Sequence, residues 1–456
     1  MRVRCRGGTE APPRGMHGAY TARSGLDVAQ RGRLESGSFK ARRADDWRIM
    51  KIQYVPFSKL PYTDTCWSLI EGPDERAYAV ACCEHSSGGT GFITRYDPQM
   101  GRLEYLLDVA ETVGQPPDNG RATQCKIHYS MVADDDGILY AATHLSGPAI
   151  DQPNYNPWGT FDDPLRSFVG SRLLAYDIAR DKVLWTDTLI PHEGCRCFAL
   201  DRQRRLLYAV GYPRDHFYVY ELDSRRRTDL GRIGSVNPQA IWLDARGRAY
   251  TTDDYGRIIV CQPQDGGGWR LIDTDTYAPH AVYQNGWHNV VYDVVAVPGQ
   301  DAVAGAAWNV DPHLFLLTHR DELADMGMEN LGPSVSGIEG YGDRGFNGDH
   351  CGGLVFSAGG ELLYCASQSD TSGSVFPSRS AMLKGINLQT RQVRDICRLT
   401  DDAGVEISYV SRTIRIGPRH LVMGVVGHMP TGILHVELDD QMAQGPLAAT
   451  PRRYWG

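Results

Sequence analysis

What this chain of 456 residues lacks narrows its function before any motif is read. No run approaches the roughly 18 apolar residues of a membrane-spanning helix, which argues against a membrane partner. The start shows no charged leader, apolar core and small-residue cleavage site, so the chain reads as soluble, cytoplasmic and not exported. Basic residues are scattered rather than striped. With a formal charge of −8 and a pI near 6.0, this argues against a nucleic-acid binder, which must neutralise phosphates. None of the 11 cysteines stands in the CxxC spacing of a zinc knuckle or redox pair, although Cys82 and Cys83 are adjacent and Cys195 and Cys197 are one residue apart. They read as buried, reduced thiols of a cytosolic protein.

Apolar periodicity is almost missing from residues 1–49, which are rich in Arg, Gly and Ser. Two readings stand side by side: a disordered extension, or an over-extended gene start with Met50 as the natural first residue. Residues 50–456 read as one domain.

Helical periodicity is scarce as well, and a repeat takes its place from about residue 62. Each unit has an apolar strand, a turn rich in Asp and Gly, a second strand ending in Tyr-Ala-like residues, and a third of pattern apolar-x-apolar-x-Asp or Glu. The third strands count the units: GFITRYD from Gly91, RLLAYDI from Arg172, HFYVYEL from His216, RIIVCQP from Arg257, HLFLLTH from His313, MLKGINL from Met382 and GILHVEL from Gly432. Fourth strands are visible in LEYLLDV after Arg102, KVLWTDT after Asp181 and WRLIDTD after Gly268. The expectation is an all-β chain: a seven-bladed β-propeller of four-stranded antiparallel blades. The last unit lacks a fourth strand of its own. KIQYVPF from Lys51 can supply it and close the ring; the tail PRRYWG is the competing candidate. WD dipeptides and GH motifs at blade spacing are missing, which demotes a protein-interaction scaffold.

The repeat locates a site. The start of a blade's innermost strand and the end of its second lie at one face. His128 stands 16 residues before His144, Arg196 16 before Tyr212, and Gln239 16 before Tyr255. His288, His350 and Arg412 open the following units. Two His, an Arg and two Tyr around one mouth suit acid–base chemistry on an anionic substrate, although polar channel lining that only binds water is the plainer alternative. The insertion from Leu145 to Gly170 overhangs the same mouth, and its Tyr155, Trp158 and Phe161 suit sugar faces or the packing of the loop itself.

The KIH…ATH pair on adjacent strands, followed by Arg and Tyr at matching positions of the next unit, resembles the seven-bladed polysaccharide lyases. These include ulvan lyases and the lyases that remove rhamnose from rhamnosyl-glucuronate ends. The resemblance covers about residues 54–440 and implies β-elimination next to a uronic acid in an oligosaccharide. It further implies His128, His144 and Tyr212 as base and acid and Arg196 on the carboxylate, with Gln239, Tyr255, Arg412, Trp158 and Tyr155 around the substrate. In the family pattern the Tyr of the third blade precedes the Arg; here Arg196 comes first, which leaves individual roles open. Some branches carry a structural metal, for which His288 and His350 are the candidates, with calcium or zinc as the ion.

The chemistry stands without the family. A proton alpha to a carboxylate is barely acidic, so elimination asks for neutralisation of the carboxylate, a base over C5 and an acid at the leaving oxygen. Arg suits the first task through bidentate pairing. His or Tyr suit the others, and no cofactor is required. A rhamnosidase-like hydrolase, which would ask for paired carboxylates, and a non-catalytic carbohydrate- or protein-binding module remain as alternatives. Asp134 to Asp136 sit at a turn and read as structural.

Overall fold

Lys51 opens the first strand, and that strand's pairing joins the two ends of the fold. Strand Lys51–Pro56 lies antiparallel on Gly432–Glu437, in register from Lys51 opposite Glu437 to Pro56 opposite Gly432. KIQYVPF is therefore the closing strand. The computed structural model describes residues 51–59, 63–84, 90–115, 122–145, 167–234, 239–279, 289–308, 312–334, 350–367, 381–428, 430–439 and 443. The expectations placed on residues 1–49, on His288, on Tyr155, Trp158 and Phe161 and on the tail PRRYWG lie outside the described residues.

Among the described residues, the strands form five four-stranded antiparallel sheets and one eight-stranded sheet. The eight-stranded sheet is two four-stranded meanders, 126–191 and 194–232, joined where Cys197 pairs in parallel with Tyr129. Each third-strand motif read from the sequence forms the third strand of its meander, from Phe92–Asp97 to Gly432–Glu437. The first strands follow one another in a circle. Leu69–Glu71 packs on Lys126–Ala133, which neighbours Gly194–Asp201, which neighbours Trp242–Leu243; Val290–Ala296, packed on Ala249–Thr252, leads to His350–Phe356 and Tyr409–Ile416, and this last returns to Leu69–Glu71. No described helix is long and apolar enough to cross a membrane.

Apolar layers between consecutive sheets hold the circle together. Between the first and second sheets, Ile70, Tyr78, Val80 and Ile93 meet Ile127, Met131, Leu139 and Leu174, all buried. Each such side chain contributes about 1.5–3 kcal/mol by leaving water. Every described cysteine is a free thiol, and all but Cys397 are buried.

The turns between first and second strands repeat one device. Asp134 accepts the backbone N–H of Asp136 and Ile138 and the Tyr140 hydroxyl. Asp244 does the same for Arg246, Arg248 and Tyr250. The turn ends on a glycine with positive φ, +79° at Gly137 and +76° at Gly247, a conformation that side chains resist. The structural reading of Asp134 follows from these bonds.

Candidate functional site

Lys126–Ala133 carries His128 near its start, and the neighbouring Ile138–His144 ends on His144. The strict register pairs Lys126 with His144, and a shift between Ile127 and Met131 displaces the residues around His128. The two imidazoles come within 5.6 Å, centroid to centroid. His144 stacks on Tyr212 at 5.2 Å, and the guanidinium of Arg196 lies over the same phenol ring at 5.4 Å. Arg196 occupies a bulge between Cys195 and Cys197, which frees its side chain from the alternation of the strand. All four residues placed at the chemical centre by the sequence are therefore brought together.

Both imidazoles are buried, and their tautomers follow from their neighbours. His128 Nδ1 faces the Arg196 carbonyl at 3.1 Å, and His144 Nδ1 faces the Leu145 carbonyl at 2.7 Å. A carbonyl only accepts, so Nδ1 carries the hydrogen in each ring and Nε2 keeps its lone pair. Neither Nε2 has a hydrogen-bond partner. Burial first, then the positive charges of Arg196 and Lys126, holds both rings well below the usual histidine range, so both are neutral.

Trp67 stacks on His128 at 4.7 Å, donates its indole N–H to Glu84 at 2.7 Å, and lies 5.5 Å from the Lys126 ammonium. Lys126 is buried and pairs with Glu84. Neither partner was singled out from the sequence, although a lysine two residues before His128 on a buried strand is the signal that would have pointed to this pair.

The other expected residues divide. Gln239 is fully buried with neither amide atom hydrogen bonded, as a ligand-directed side chain would be. Arg412 sits 4.7 Å over the Tyr129 ring and pairs with the buried carboxylate of Asp293 at 3.4 Å. His350 packs edge-on to Tyr409 at 5.0 Å, and burial lowers it to about 4. Tyr255 lies beyond its strand, which ends at Thr252: Asp253 accepts the Tyr255 N–H in a turn, and the ring is 56% exposed. Among the described residues no group of three or more His, Cys, Asp or Glu could hold a metal ion.

No protein-family model matches the chain, and no curated relative matches it. Solved structures do. A streptogramin B lyase covers 85% of this chain and 98% of its own, at 10% identity and a TM-score of 0.51. A catalytically inactive histidine-to-alanine virginiamycin B lyase from Staphylococcus aureus, with quinupristin, covers 85% and 99% at 8% identity and 0.51. The fold is a β-propeller. A fungal alcohol oxidase in complex with copper also superposes, over 88% of this chain and 78% of its own, at 10% identity and 0.53. At these identities the likeness is one of fold.

In propeller terms, the His128–Tyr212 cluster lies where inner strands begin and second strands end. A cleft of about 920 Å³ opens at the other face, among the turns that hold Asp134, Asp201 and Asp244. Those three carboxylates are already bonded within their turns.

Proposed function

We propose that the sheets are seven blades of a closed ring, and that the chain is a carbon–oxygen lyase that cleaves next to a uronic acid by β-elimination. One observation carries the reading: two neutral imidazoles with unpartnered Nε2 atoms lie against a phenol and a guanidinium in a buried cluster. Arg196 pairs with the substrate carboxylate and drains charge from it, which acidifies the C5 proton. An Nε2 of His128 or His144 takes that proton, the C4–O bond breaks as the C4–C5 double bond forms, and the Tyr212 hydroxyl protonates the leaving oxygen. The anionic substrate offsets the charge of Arg196, one of the causes holding both rings low, and so makes them stronger bases as it enters.

The test is absorbance of a 4,5-unsaturated uronate when the full chain meets uronic-acid oligosaccharides, ulvan and rhamnosyl-glucuronate ends among them. The expected result is a rise that disappears in His144→Ala. Release of saturated sugar instead identifies hydrolysis, and no product from any substrate leaves a binding module.

A further inference from the structure

Asp215 stands three residues after Tyr212, between the second and third strands of the blade that carries Arg196. It is 1% exposed, and neither carboxyl oxygen has a hydrogen-bond partner. Its backbone is held in place: φ is +55°, and its carbonyl accepts the Ile233 N–H at 3.0 Å. A buried carboxyl without partners is costly, and Asp134 and Asp244 show how this chain saturates one in a structural turn.

The charged groups around Asp215 come from every neighbouring element. Burial raises its pKa to about 7; Arg196 on the inner strand opposes this, Asp254 of the next blade and Glu193 add to it, and Arg232 on the fourth strand opposes it. Glu193 is satisfied by the Tyr218 hydroxyl at 3.1 Å and by Arg214, at 2.8 Å from N and 3.1 Å from Nε. Arg196, whose buried Nε also lacks a partner, forms no ion pair with Asp215 among the described residues. A cation and a carboxyl thus sense each other without touching.

We propose that Asp215 is the acid that shares a proton with the substrate's carboxylate beside Arg196, completing a two-sided subsite for a sugar acid. The proposal rests on the uronate reading and names the second group that neutralises the carboxylate. A carboxylic acid hydrogen-bonded to a carboxylate withdraws charge from it, as a guanidinium does, and so acidifies the neighbouring C–H. During elimination the proton stays between the two carboxyl groups and remains on Asp215 when product leaves. The base gains the C5 proton and the leaving oxygen receives the phenol's, so the balance is unchanged.

The experiment is calorimetric titration of the full chain with glucuronate from pH 6 to pH 9, on the natural protein and on Asp215→Asn, with unsaturated product followed on oligosaccharides in parallel. In the natural protein, affinity falls about tenfold per pH unit above 7 as Asp215 ionises against the anion. In Asp215→Asn it is weaker at pH 6 and flat across the range. A flat profile in the natural protein, parallel profiles in the two proteins, or no binding to either overturns the proposal. If product still forms in that case, the lyase reading survives without Asp215. The expected profiles with no unsaturated product leave Asp215 as a sugar-acid subsite and remove the lyase reading.

Discussion

At the turn end of the inner strands, Asp134, Asp201 and Asp244 each accept backbone N–H groups, and Asp244 also holds Tyr250 at 2.9 Å and Arg248 at 2.6 Å. At the opposite end, His128 Nε2, His144 Nε2, Arg196 Nε, both oxygens of Asp215 and both amide atoms of Gln239 are buried without a partner. The same blades build both ends from the same kinds of residue. What differs between these two sets of residues is saturation: a polar group bonded within its own turn stabilises the fold, whereas one left unbonded in the interior costs stability and stays available to a ligand.

Substitutions should therefore affect activity at one end and stability at the other. His144→Gln, which keeps a side-chain N–H donor and most of the volume, is expected to lower the rate of unsaturated product formation about 10²–10⁴-fold, while the denaturant midpoint moves little. Asp244→Ala is expected to cost about 3–5 kcal/mol in denaturant unfolding, because it strands the buried Arg248, with turnover per folded molecule unchanged. A loss of turnover in Asp244→Ala without a loss of stability would erase the contrast.

Titration sharpens it. The imidazoles are held low in the folded state, so their contribution is present above about pH 6.5 and is lost as pH falls below it. Replacing His128 by Gln is expected to flatten the fall in stability below about pH 6.5, read as the pH dependence of the denaturant midpoint. Asp215 acts with the opposite sign. Its folded value is raised, so its contribution is present at low pH and fades as pH rises from 3.8 through about 7. Asp215→Asn is accordingly expected to melt about 2–5 °C above the natural protein at pH 8. The smallest effect is expected at Gln239: replacement by Met removes two unsatisfied atoms and gains about 1 kcal/mol of stability, with weaker substrate binding as the accompanying readout.

Much of this arrangement could be read from the sequence because strand alternation and turn chemistry are local. The third strands and the structural role of Asp134 follow from patterns a few residues long, whereas Lys51–Pro56 becomes a candidate closing strand, beside the tail, only through the missing fourth strand of the last unit. The His128–His144 and Arg196–Tyr212 spacings were informative because those blades have inner strands of eight residues, Lys126–Ala133 and Gly194–Asp201. The same spacing sets Tyr255 in an exposed turn rather than on a strand, because its blade begins on the two-residue strand Trp242–Leu243 and its second strand stops at Thr252. Asp215 and the Lys126–Glu84 pair were missed for a different reason. Burial without a partner, and pairing across 42 positions, are properties of the assembled ring, and no local pattern encodes them.

The pairing of Lys51–Pro56 with Gly432–Glu437 also governs how the chain is born. During synthesis this segment leaves the ribosome long before its partner, so an unpaired strand edge is carried until the last blade is made. Such an edge invites pairing with other nascent chains. A lysine at one end and a proline at the other make it a poor template until the last blade arrives.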